Sequence, residues 1–418
     1  MPPLAVLGTF AARARARLER ARRDGWGRTL AEIAGKSTTL LAGVLLIPAA
    51  AIAHVAGYRR ITFIVGRIGH LAAEPDSFLK SVALGELPGR KYFFLAPRGG
   101  VANEHLLSYW AARIPVVRDP MLCRLFDAMS ALGLMRFDAG RYVLRLDRSQ
   151  EAYRINARWA GRAPLLALTE EDNLWGEQEI AALGVPRGGW FVCVHAREGG
   201  FSPQDEATHA HRNGSIEALV PAMQEIVARG GFCVRMGDPS TRPLPVIEGV
   251  VDYAHHANRS PRLDVVLCAK AKFFLGNSSG IAIVSSVFGV PAALANMVPL
   301  SALGIMPSDL SIPKLYRRRQ DGRPLGFGEV FGTAAANFRY ALQYSQAGID
   351  LVENTADEIR ELTKEMLDRL DGRSAPEAGD ETLQRCFMAL VRQGDYGYGA
   401  ASRVGAAFLR RYAPQLGG

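Results

Sequence analysis

Between residues 188 and 300, short apolar runs alternate with stretches whose apolar positions recur every three or four residues. The runs at 190–195, 232–236, 273–275 and 292–295 are rich in β-branched and aromatic residues and read as buried strands. The stretches at 215–229, 263–271 and 281–288 read as helices. The alternation predicts βαβ units, hence an α/β fold with a parallel sheet and right-handed crossovers. A weaker version comes earlier, with strands ITFIV at 61–65 and YFFL at 92–95 and helical pattern through 104–112 and 120–132. Residues 150–187 and 301–345 show little pattern, and helical pattern returns at 356–370, 380–393 and 400–413. Thr355 followed by Glu358 predicts a capping box at the start of the first of these helices.

A length of 418 residues favours two cores over one. The expected division is a helical segment at 1–57, a first α/β domain with its linker at 58–187, a second at 188–345, and C-terminal helices at 346–418 that pack back across the domains.

The predicted strands end in polar residues. The first of the later series runs into His195, Arg197, Glu198 and two glycines; Arg212 and Asn213 follow a little later. The next ends in Arg235 and Gly237, and the third enters the turn Gly276-Asn277-Ser278-Ser279-Gly280. In open α/β sheets ligands sit beyond the carboxyl ends of the strands. A guanidinium fork matches a diphosphate, and a Gly/Ser turn opening a helix presents N–H groups and a dipole to an anion. Each feature alone is also met by a surface ion pair or a capped helix. Together in one βαβ series, His195, Arg197, Arg212, Asn213, Arg235, Gly237, Asn277, Ser278, Ser279 and Gly280 predict the donor pocket of a sugar-nucleotide enzyme.

In the first domain the strand-end residues Gly66, Arg67, Gly69, His70, Arg98 and Asn103 are expected to face the cleft. The acids nearest the later strand ends, Glu198 and Asp205, are the candidates for a base that deprotonates an acceptor hydroxyl, with Arg197 counted beside them for its charge on the leaving group. The choice between the two stays open, because Glu198 serves equally well as a salt-bridge partner of Arg197.

Charge narrows the partners. The formal net charge is +9, and residues 1–60 hold ten Lys/Arg against three acids, so the remainder is nearly neutral. A nucleic-acid binder spreads basic and aromatic residues over a domain surface, and this chain does not. Five scattered cysteines without a CxxC pair point to a reducing compartment. No two aspartates stand two apart, and His209/His211 and His255/His256 do not share a helix face, so no metal or other cofactor is expected.

The apolar run at 38–57 approaches the roughly 20 residues a bilayer crossing needs. Its basic flanks, with Arg59 and Arg60 directly after it, disfavour a signal peptide. A full crossing would put the body outside, away from sugar nucleotides. A segment lying on or dipping into the inner face of the cell membrane, held through residues 1–60, fits both flanks and leaves the body cytoplasmic. An Ala-rich core helix is the alternative.

Five ordered motifs carry a resemblance. Gly66–Ala72 (GRIGHLA), His195–Arg197 (H-x-R), Arg212-Asn213, Arg235–Gly237 (RMG) and Ser279–Ile281 (SGI) together resemble a group of bacterial surface-polysaccharide glycosyltransferases. Residues 353–360 and 405–410 look similar too, so the likeness covers about 58–413. It implies the GT-B architecture, with two Rossmann-like domains, a cleft between them and the donor held in the C-terminal one. The H-x-R turn is similar to that of fucosyltransferases using GDP-sugars, where the arginine holds the diphosphate. Those continue with Gly-Asp, whereas this chain has Glu198-Gly199-Gly200. The implied activity is metal-independent transfer of a hexosyl or deoxyhexosyl group from a nucleotide sugar to a surface-glycan or lipid-linked acceptor. A nucleotide-sugar epimerase of the same fold and a non-catalytic membrane-bound scaffold are the alternatives.

Overall fold

The computed structural model describes residues 46–131, 133–142, 150–199 and 203–416. Most of the expected basic and apolar N-terminal segment therefore lies outside the described residues. The chain is mixed α/β with parallel sheets and divides into two compact units.

The smaller unit comprises the described residues up to Thr62 with Arg90–Gly99 and Ile114–Asp138. Its four-stranded parallel sheet has the order β3-β2-β1-β4, with β1 at Tyr58–Ile61, β2 at Lys91–Leu95, β3 at Val116–Val117 and β4 at Arg136–Phe137. The first strand was expected at 61–65 and lies earlier. Beyond it the backbone leaves the sheet, and the Ile64 amide donates to a carboxylate oxygen of Glu74 at 2.8 Å. A helix at Ile47–Val55, with Pro48 in its first turn, seats Ala50 beside Met129 and Met135. The Met135 amide donates to Nδ1 of His54 at 3.1 Å. One face of this helix is thus core, while Ile52 and Val55 are 72% and 84% exposed. No helix among the described residues is long and apolar enough to cross a membrane.

The larger unit comprises Phe63–Gly89, Gly100–Arg113 and Ala139–Gly418. The units therefore do not part at the expected 187/188 boundary. Helices Ile68–Ala83, Glu104–Ala111, Gln150–Trp159 and Glu170–Ala182 all belong here, and the last two fill a stretch that shows little pattern in sequence.

The strands of this unit are β5 (Phe191–His195), β6 (Phe232–Arg235), β7 (Val250–Val251), β8 (Phe274–Gly276), β9 (Ala292–Met297), β10 (Leu310–Pro313), β11 (Leu315–Arg318), β12 (Pro324–Leu325), β13 (Ile349–Val352) and β14 (Arg403–Val404). Seven of them form a parallel sheet of order β14-β10-β9-β8-β5-β6-β7; β11 to β13 form a small antiparallel sheet. Val192, Val194, Cys233, Leu275 and Ala293 are fully buried, as expected for strands covered on both faces. The helix at Ala356–Leu370 begins with the expected capping box, Thr355 and Glu358 bonding each other's backbone amides.

The sheet order fixes where a ligand belongs. From β5 the chain moves outward to β6 and β7, then returns to pair β8 on the other side of β5 and continues outward to β9 and β10. The direction of winding reverses between β5 and β8, and the carboxyl ends of strands at such a reversal form a crevice.

Candidate anion site at the strand-order reversal

At the ends of β5 and β8 the register brings His195 opposite Gly276. A Cβ at Gly276 would lie 2.4 Å from the His195 carbonyl oxygen, so the close approach requires glycine. Asn277 follows and is buried; its Oδ1 accepts from the Arg197 amide at 2.9 Å and its Nδ2 donates to the Arg212 carbonyl at 3.1 Å. One side chain thus stitches together the loops that follow β5 and β8.

Next, Ser279 occupies the cap position of helix Gly280–Val287, but its hydroxyl makes no cap bond and is buried without a partner. Gly280 is in backbone contact with Gly69: a Cβ on Gly69 would meet the Gly280 Cα at 2.8 Å, and one on Gly280 would meet the Gly69 nitrogen at 2.9 Å. The first turns of helices Ile68–Ala83 and Gly280–Val287 therefore touch. First-turn amides have no intrahelical acceptor, and each helix start carries a partial positive charge. Two such starts side by side form an anion-binding edge.

Cations gather at the same edge. Arg212 donates from Nη2 to the Ser278 carbonyl at 2.5 Å, and its Nε is buried with no partner. Among the described residues no carboxylate forms an ion pair with it. Burial, and then the charges of Arg197, Arg339 and Arg67, hold its guanidinium down to about 10. Arg197 bonds the Asn213 side chain and the His209 carbonyl, with Glu206 3.7 Å away. Lys314 is buried, donates to the Asn213 carbonyl at 2.6 Å and lies 3.6 Å from Glu353. Its ammonium is shifted down by burial. His211 is pushed down to about 3, by burial first and Arg212 second, and is neutral. Arg67 and Arg339 are close enough to act on Arg212, and Glu206 and Glu353 lie beside Arg197 and Lys314. Beside them opens a pocket of about 420 Å³ lined by Glu198, Gly199, Asn213, Gly214, Ser215, Ser240, Arg242 and Glu353.

Several expected site residues do not join the anion edge. Arg235 is 1% exposed and neutralised, Nη1 bonding Asp252 at 2.9 Å and Nη2 bonding Glu198 at 3.1 Å. It cannot grip a diphosphate without breaking those pairs. Glu198 is therefore the partner of Arg235, and its carboxyl is shifted up by burial. His195 donates from Nδ1 to the Met236 carbonyl at 3.0 Å and is held down to about 4 by burial, hence neutral. The Gly237 carbonyl accepts from Arg259 at 2.8 Å. Asn103 caps helix Glu104–Ala111, accepting from the Leu106 amide and donating to the Pro261 carbonyl, which is structural work. Gly66 lies near the Gly100 carbonyl, a Cβ there meeting it at 3.4 Å. Arg98 belongs to the smaller unit, and the Asp205 side chain lies outside the described residues. His70 pairs through Nδ1 with Glu74 at 2.6 Å.

Glu206, Lys314, Arg339 and Glu353 were missed in sequence. Lys314 sits in a basic cluster that signals nothing by itself, Glu353 opens the 353–360 stretch that was noted only for its likeness, and Glu206 and Arg339 carry no motif. Among the described residues no group of three His, Cys, Asp or Glu is arranged to hold a metal.

No protein-family model matches the chain. No curated protein matches it either. Among solved structures it overlaps a glycosyl transferase family 9 protein from Veillonella parvula DSM 2008, at 13% identity over 54% of this chain and with a TM-score of 0.23. The overlap spans 60% of that protein.

Proposed function

We propose that the chain is a glycosyltransferase of the GT-B kind, which moves a hexosyl or deoxyhexosyl group from a nucleoside-diphosphate sugar to a surface-glycan or lipid-linked acceptor. The carrying observation is Arg212, a guanidinium with a buried open Nε and no carboxylate partner among the described residues, beside the unpartnered Ser279 hydroxyl and two touching helix starts. That arrangement is costly unless an anion completes it. A diphosphate supplies the charge and the acceptors. When the sugar–oxygen bond breaks, charge builds on the departing diphosphate, and fixed donors already aimed there lower the barrier without a metal ion. The acceptor class rests on the five-motif resemblance alone.

Association with the inner face of the membrane belongs to the same reading. Support comes from the smaller unit, where Ile52, Val55 and Met121 are 72%, 84% and 71% exposed.

Calorimetry of the full chain with inorganic pyrophosphate, in EDTA, tests the pocket. A thermal-shift series with UDP-, GDP- and ADP-sugars names the nucleotide, with a CMP-sugar as the monophosphate control. Saturable pyrophosphate binding and a melting rise with one diphosphate sugar are expected. A ligand at a hundred times its Kd stabilises by about 2.7 kcal/mol. If neither pyrophosphate nor any diphosphate sugar binds, the proposal is wrong.

A further inference from the structure

We infer that His70 is the base that takes the acceptor proton, and that Glu74 positions it; this rests on the glycosyltransferase reading above. His70 is the third residue of helix Ile68–Ala83, and helical side chains lean toward the helix start. Its neighbour Gly69 touches Gly280, so His70 stands one residue from the contact between the two helix starts, although its ring is turned to Glu74 rather than to the anion edge. Glu74 lies one turn further on and is wholly buried. One oxygen accepts from the Ile64 amide at 2.8 Å, and the other meets Nδ1 of His70 at 2.6 Å. Among the described residues no Lys or Arg pairs with Glu74, so a buried carboxylate has been committed to one imidazole.

The consequence is a fixed tautomer. Nδ1 carries the proton toward Glu74, which leaves the Nε2 lone pair free on a partly exposed ring. A plain cap would need only the oxygen on Ile64. Of the two acids expected to serve as base, Glu198 is held by Arg235. Several charges on the elements packed around this helix have partners of their own. Helix Gly280–Val287, packed on this one, has no titratable side chain. On helix Gln150–Trp159, Glu151, Arg154 and Arg158 engage one another and Glu86, past the far end of the His70 helix. On helix Glu104–Ala111, His105 pairs with Asp172, and Glu104 is that helix's first residue. Arg67 occupies the cap position of the helix without a side-chain cap bond, and its charge reaches Arg212.

The step balances as follows. The acceptor hydroxyl proton passes to Nε2 while the acceptor oxygen bonds the anomeric carbon. The bond from that carbon to the diphosphate oxygen breaks, and its electron pair leaves with the diphosphate among Arg197, Arg212 and the helix starts. Glu74 stabilises the imidazolium, which returns its proton to water once product has gone.

The test uses the full chain with His70→Ala, His70→Asn and Glu74→Gln, reading pyrophosphate affinity by calorimetry and nucleoside-diphosphate release from UDP-glucose and GDP-fucose across pH. Loss of a general base is expected to slow release by about 10²–10⁴-fold in both His70 variants. Pyrophosphate affinity should stay within threefold or so, since the guanidinium groups are untouched. Glu74→Gln should move the acid limb of the pH–rate profile, which a merely structural role would not do. Wild-type release rates in both His70 variants, or an unmoved profile in Glu74→Gln, overturn the inference while intact pyrophosphate binding keeps the parent reading. Absence of pyrophosphate binding in the wild type overturns both.

Discussion

Replacing Arg212 by methionine should weaken diphosphate binding without weakening the fold. The methionine keeps the apolar stem and removes the charge. A guanidinium held near 10 instead of 12.5 is disfavoured on folding. At 1.36 kcal/mol per tenfold step that is on the order of 3 kcal/mol, and because the side chain remains partly solvated about 1–2 kcal/mol is the realistic share. The cost is present at every pH below about 10, where the group is charged in both states, and fades only as pH rises through that value toward 12.5. Against it stands one hydrogen bond to the Ser278 carbonyl, worth about 1.5–3 kcal/mol from a charged donor. The free protein should therefore be within about 1 kcal/mol of wild type in urea unfolding. Binding should respond differently, because a charge-assisted contact of about 1.5–3 kcal/mol converts to a Kd roughly 10–150-fold higher. Calorimetry with pyrophosphate and denaturant titration of the same samples read the two quantities independently. A variant that loses more than about 3 kcal/mol of stability yet binds pyrophosphate like wild type would show that Arg212 is scaffolding, and the reasoning would fail.

Three further outcomes follow from the geometry. Gly280→Ala places a methyl 2.9 Å from the Gly69 nitrogen and 3.0 Å from the Ile68 side chain; overpacking of about 1–3 kcal/mol and weaker pyrophosphate binding are expected in unfolding and calorimetry. Lys80 is buried between Asp76 at 2.6 Å and Asn156 at 2.7 Å, so Lys80→Met strands a buried carboxylate and should cost about 3–5 kcal/mol in urea, with Asp76→Leu in the same chain recovering most of it. Glu86 is held down to about 2, chiefly by its hydrogen bonds from Arg154. That stability is present above pH 4.5 and lost as pH falls toward 2, and Arg154→Met should flatten this acid limb in thermal melts; an unchanged limb would show the bridge to be worth nothing.

Strands β5, β6, β8 and β9 were legible because buried parallel strands are continuous apolar runs, and the helix starting at Thr355 because its capping box is local; the two-residue β7 was not. β10 was not legible: its sequence LSIP ends in proline and carries a buried serine, so only its neighbours β9 and β14 make it a strand. Helix Gln150–Trp159 was hidden because its buried face includes Asn156, which bonds Lys80. Arg197, Arg212, Asn213, Asn277 and Ser279 were grouped in sequence, and the fold brings them together beyond the ends of β5 and β8. Arg235 was grouped with them because nothing local distinguishes it. Its partners Asp252 and Glu198 are 17 and 37 positions away, and pairing at that distance is a property of the fold.

That contrast between two arginines is the argument for a site. Arg235 and Arg212 border the same parallel sheet, the first fully buried and the second half-buried. The fold gives Arg235 two carboxylates and a carbonyl, which is how a buried charge is ordinarily made tolerable. To Arg212 it gives one carbonyl, an open Nε and like charges nearby, and it sets two helix starts against each other beside it by placing glycine at both 69 and 280. Among the described residues no acid pairs with Arg212, whereas two pair with Arg235. On the proposed reading, a ligand brings the negative charge that no ion pair among the described residues supplies to Arg212, and the planar fork and the amides along the edge match a diphosphate.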